Sequence, residues 1–167
     1  PRNGININGE YFARVNGGGW EKEGDNLVVN EGLVHVLNVA LGATAKPAGY
    51  FLALFSGSTT PAANWTAASF AAVANEIVSQ TEGYTGATRP AWTPAAATAG
   101  SIDNLASAAQ MTIATTGTLN VTGAALLTNS QRGGTTGVLV SASAFAAPRV
   151  FQAGDLYELG YRLNATV

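Results

Sequence analysis

The sequence predicts a mainly β fold: a β-sandwich, jelly-roll-like, with one or two short helices in the N-terminal half and an extended N-terminal arm. Three observations carry this. From residue 80 onward, short runs of Thr, Val, Ile and Leu alternate with Gly, Ser, Asn and Pro, as short strands alternate with turns. DLYELGYRLN (155–164) sets Tyr157, Leu159, Tyr161 and Leu163 against Glu158, Gly160, Arg162 and Asn164, the period-two alternation of a half-buried strand. The best helical period, in NLVVNEGLVHVLNVALG, lies in the N-terminal half.

Taken in order, residues 1–25 hold six glycines and no sustained period. Gly17, Gly18 and Gly19 hold regular structure at a high entropic cost, so the segment is expected to be an extended arm preceding a single β-rich domain at 26–167. Tyr11, Phe12, Val15 and Trp20 are too apolar to leave in water, so the arm is expected to lie against its own domain or a neighbour's. The first helix is expected from Asn30 as N-cap to Gly42 as C′ residue. Leu33, Leu37 and Leu41 form its apolar stripe, and Glu31, His35 and Asn38 lie opposite. GYFLALFSG (49–57) is apolar on both alternating faces, as in a strand covered on both sides. TAASFAAVANEIVS (66–79) fits a second helix capped by Thr66, with Phe70, Val73 and Ile77 on one stripe; its later half, EIVSQ, fits a strand equally well. QMTIATT (110–116), TLNVTGAALLT (118–128) and GVLVSASAF (137–145) are the remaining strand candidates. SQRGGTTG (130–137) runs into a β pattern and lacks the lysine of a phosphate loop, so it is expected to be a hairpin turn with positive φ at Gly133 and Gly134.

Composition restricts the function. Apolar residues make up 47% of the 167 residues and charged residues only 11%, against roughly 25% in an ordinary soluble domain. The surface is therefore nearly neutral, with little charge to oppose association, and much of it is expected to be covered by other subunits. Two lysines and six arginines against ten acids form no basic patch, which argues against direct nucleic-acid binding. No apolar run approaches the ~20 residues of a membrane span, and no basic-then-apolar signal opens the chain. There is no cysteine.

No catalytic pattern emerges. The single histidine, His35, has no second histidine to complete a ligand set, and is expected to be solvated with Glu31 as its i, i+4 partner. G-x-S-x-G is absent. The acids are scattered, and Glu82 and Asp103 are the nearest to the most unusual stretch, EGYTGATRPAW (82–92). There Pro90 holds Arg89 extended, where it is expected to stack on Tyr84 or Trp92 or to donate to carbonyls of an irregular segment. Tyr84, Arg89 and Trp92, with Tyr11, Phe12 and Trp20 of the arm, are the candidate loop-clamp or interface residues; the alternative for the loop is an exposed recognition surface. No catalytic, cofactor-binding or metal-ligating residue is assigned.

NLVVNEGLVHVLNVAL, YFLALFSG, EGYTGATRPAWTPAAATAGSIDN and GTTGVLVSASAFAAPRVFQAGDLYELGYRL together resemble a family of tailed-bacteriophage virion proteins, the head decoration or cement proteins. The resemblance spans residues 26–163 and leaves out the glycine-rich arm. It implies a non-enzymatic, self-associating β domain without cofactor. Such a domain would be made in the host cytoplasm and carried on the outer capsid surface, with the major capsid protein and further copies of itself (as dimer or trimer) as partners. The alternative is a tail or fibre component that stacks host glycans on exposed Trp65 or Trp92. An enzyme would need two carboxylates at one cleft, for which Glu82 and Asp103 are the pair to test.

Overall fold

The computed structural model describes residues 4–167. Strand β1 (Asn6–Val15) pairs antiparallel along its whole length with β10 (Leu156–Thr166), from Asn6↔Thr166 to Val15↔Tyr157. On its other side β1 pairs with β2 (Glu21–Val28). The expected arm is thus corrected: over its described residues it is an extended hairpin built into the middle of the sheet, while residues 1–3 lie outside the described residues. The turn explains the glycines. Gly18 N donates to Val15 O at 2.9 Å, and Asn16 and Gly17 both take positive φ, 51° and 74°, the Asn-Gly geometry that matches strand twist in a tight hairpin.

The sheet curls on itself. β4 (Gly83–Tyr84) and β7 (Ala109–Ala114) extend one half; β9 (Leu139–Phe151), β8 (Leu119–Leu127), β3 (Tyr50–Phe55) and β5 (Ala91–Trp92) form the other. The order is β4-β7-β10-β1-β2-β9-β8-β3-β5, with β6 (Ser101–Asp103) pairing the outer part of β10. β2 belongs to both, pairing with β1 through Glu21–Asn26 and with β9 at Leu27 and Val28. A bulge opposite Tyr11 and Phe12 leaves Glu23 outside the ladder, where it is buried and accepts hydrogen bonds from Arg149 Nε at 2.9 and 3.0 Å. A bulge of this kind sharpens local twist, here where the sheet turns from one half to the other. The result is a mainly β, jelly-roll-like sandwich.

Two apolar cores follow from the alternation along each strand. Between the halves, Tyr11, Tyr157, Leu159, Tyr161, Met111 and Ile113 meet Leu52, Leu54, Val121, Ala124, Leu126 and Val140. On the far face of the second half, Ala53, Phe55, Ala125, Leu127 and Leu139 are covered by Trp65 and by helix α2 (Ala67–Ala74) through Phe70. β3 is therefore buried on both faces, as its composition predicts. Gly123 is fitted to this second core: a Cβ there would overlap the Phe55 ring and the Ser143 carbonyl. Thr66 caps α2, with Ser69 N donating to its hydroxyl at 3.3 Å and Ser69 Oγ accepting from Thr66 N at 3.1 Å. The helix ends at Ala74 because Asn75 turns left-handed, φ 54°; Glu76 and Ile77 continue extended against β3.

Helix α1 (Asn30–Ala40) reverses its expected orientation. Its buried residues are Gly32 and His35, whereas Leu33, Val34, Leu37 and Leu41 are 37, 58, 56 and 85% exposed. The reason is close approach. Gly32 lies so near the Val140 carbonyl of β9 that a Cβ could not fit between them, and the helix backbone rests on the strand at this point. Val29, not Asn30, holds the N-cap position; Asn30 N donates to Ala63 O at 2.9 Å instead.

Candidate functional site

The EGYTGATRPAW stretch contributes β4 and β5 and the crossing between them. Pro90 precedes Ala91 in β5, and Arg89 lies flat behind it with 1% of its surface exposed. Its guanidinium meets Glu76 in two bonds, Nε to Oε1 and Nη2 to Oε2, both 2.7 Å. Nη1 donates to Asn129 O at 2.8 Å, and Glu76 Oε2 also accepts from Gly133 N at 2.9 Å. A fork-to-fork pair in which every guanidinium nitrogen has an acceptor is the geometry in which a buried ion pair is tolerated. It joins three irregular segments: the end of α2, the β4–β5 loop and the β8–β9 hairpin loop.

Arg89 does not stack on Tyr84 or Trp92, because the carboxylate of Glu76 claims it. The arginine over Tyr84 is Arg132, 3.6 Å from the ring centroid. Arg132 also donates to the carbonyls of Tyr84 (2.8 Å), Gly86, Ser79 (2.7 Å) and Ile77 (3.2 Å). Sequence reasoning missed Glu76 and Arg132; a lone charge beside a helix end, and an arginine in a glycine hairpin, were the available signals. Of the hairpin glycines, Gly133 has positive φ (71°) as expected, but the second is Gly137 (89°), not Gly134. Burial pushes the Tyr84 phenol up to about 12, so its hydroxyl stays protonated near neutrality.

The other candidate residues are dispersed. Trp92 is buried and donates Nε1 to Tyr161 O at 3.0 Å, tying β5 across the sandwich to β10. Tyr11 is fully buried and shares a 3.1 Å hydrogen bond with Ser141. Phe12 and Trp20 are half-buried, under Arg162 (5.1 Å) and Arg14 (4.9 Å) respectively. Trp65 is also buried, so neither Trp65 nor Trp92 is an exposed stacking platform. Glu82 accepts from the hydroxyls of Thr115 and Thr116, each at 2.7 Å, in the β7–β8 turn. Asp103 instead pairs with Arg162 at 3.0 Å on β10. The two acids share no cleft. Among the described residues no cluster of His, Asp or Glu is arranged to hold a metal ion, and no helix is long and apolar enough to cross a membrane.

His35 differs from its expectation too. It is only 8% exposed, and its Nε2 shares a 2.9 Å hydrogen bond with Tyr50 Oη. Burial lowers its pKa from 6.5, partly opposed by Glu31. Glu31 itself is engaged elsewhere, accepting from Ala67 N (2.8 Å) and Leu139 N (2.7 Å). One carboxylate thereby fastens α1 to the first residue of α2, where a negative charge suits the helix dipole, and to the start of β9. With Gly32, Glu31 and His35 all turned inward, the leucine stripe faces solvent. A contiguous apolar helix face on a surface this poor in charge is the feature with most capacity for association.

No protein-family model and no curated protein matches this chain.

Proposed function

We propose that this protein is a bacteriophage capsid decoration protein, which binds the outer surface of the head shell and stabilises it by bridging capsomers. The observation that carries the reading is the outward-facing stripe of α1: Leu33, Val34, Leu37 and Leu41. Apolar area removed from water stabilises by about 25 cal/mol per Å², less the cost of ordering the partners. A modest gain per copy, repeated over a shell, resists the outward pressure of packaged DNA. The sandwich supplies the rigidity this needs, since β2 and the Arg89–Glu76 pair tie its halves and loops together. The resemblance of residues 26–163 to head decoration proteins points the same way. The partners are the major capsid protein and further copies of this chain.

The experiment is a count. Purified protein is added to heads that lack it, and bound copies per particle are measured by quantitative gel densitometry. The reading requires hundreds of copies per head. A handful per particle, located at the tail, would replace it with the tail-component reading.

A further inference from the structure

Beside the paired strands β3 and β5 lies a cavity of about 520 Å³, within the size range of small-molecule sites. Tyr50, Phe51, Trp92, Leu126, Val140 and Leu163 wall it. The two polar atoms that these aromatic side chains carry on nitrogen and hydroxyl are already engaged: Trp92 Nε1 with Tyr161 O, and Tyr50 Oη with His35. These six side chains therefore offer a guest mainly apolar and aromatic surface, and the polar part of the lining comes from other groups. Lys46 is the single charged side chain among the lining residues. It is exposed and has no carboxylate within ion-pair distance among the described residues. Beside it the exposed Thr93 adds a hydroxyl.

We propose that this cavity binds a small amphiphilic anion, an alkyl or aryl carboxylate whose apolar body lies against the edge-to-face Tyr50–Trp92 pair and whose head group meets Lys46. Charge selects the occupant. A neutral hydrocarbon would fill the walls and leave the ammonium unused. A cation would face repulsion from Lys46 with no acid in the lining to offset it. The site is independent of the proposed role on the capsid: the ligand enters beside β3 and β5, whereas docking uses the outer side of α1.

The test titrates the intact protein with decanoate, decanol and decyltrimethylammonium, following backbone amide shifts by NMR and heats by calorimetry. Saturable one-to-one binding of decanoate is expected, with shifts centred on Gly49, Tyr50, Ala91 and Thr93. Decanol binds more weakly and the cation most weakly. Lys46→Glu, a change on an exposed side chain, lowers decanoate affinity roughly fivefold and removes the preference over the cation. The proposal is overturned by non-saturable binding, by shifts confined to the Leu33–Leu37 face of α1, or by a Lys46→Glu variant that binds decanoate as the parent does. Shifts at the same amides that grow with protein concentration alone would also overturn it, since a second copy would then be the occupant.

Discussion

The Arg89 guanidinium illustrates how one side chain organises a region with little regular structure. It holds Glu76 and the Asn129 carbonyl at once, and Glu76 in turn holds Gly133. Removing one member strands the other charge in the interior, which costs far more than the net worth of the pair. Arg89→Ala is expected to lose about 3–5 kcal/mol of stability in urea denaturation, more than any single surface change. His35 gives a second prediction. Its pKa in the folded protein lies below the ordinary 6.5 because burial disfavours the charged ring. The unfolded chain then binds the proton more tightly, so His35's contribution is complete above about pH 6.5 and is lost as pH falls toward the lower folded value. The melting temperature should decline as pH drops from 7.5 to 5.5, and His35→Gln should flatten that part of the profile. What the sequence showed of this chemistry was the oddity of Arg89 beside Pro90. Its partner lies 13 positions earlier, beyond a helix end, and no local pattern pairs them.

At the level of elements, period-two alternation placed β10, runs of Thr, Val, Ile and Leu between turn residues placed β7, β8 and the first part of β9, and apolar residues on both faces marked β3. Thr66 was legible as a cap, and its capping box bears a direct test: Thr66→Ala should cost about 1 kcal/mol, read as a shifted denaturation midpoint. Helix α1 shows where periodicity fails. Its leucines repeat as a core stripe should, yet Gly32 allows the backbone to close on β9 and turns that stripe outward. The glycine in the first turn of the helix was the available clue, since glycine is a poor helix former unless something needs the space. The orientation makes a mutational prediction unlike that of a core helix. Leu37→Glu should leave stability nearly unchanged, within about 0.5 kcal/mol, while abolishing the proposed self-association, with sedimentation velocity as the readout. Gly32→Val should do the reverse and unfold the contact with β9.

Across the whole molecule, the N-terminal hairpin and the C-terminal strand are one unit. β1 is flanked by β10 and β2, so the two ends of the described chain close the sheet together. Glycine content made residues 1–25 look like an arm; the pairing of β1 with β10 spans some 150 positions and leaves no local trace. A chain lacking residues 1–20 should therefore lose its β signal by circular dichroism rather than keep a domain without an arm. Scarce charge, two apolar cores and an outward leucine face together describe a compact body with an exposed apolar face, the face to which the proposed role assigns adhesion. The most direct measurement is co-sedimentation with phage heads lacking this protein, comparing the parent chain with the Leu33→Glu, Leu37→Glu double variant. The account predicts saturable binding by the parent at hundreds of copies per head and little by the variant. Equal binding of both, or none by the parent, would contradict it.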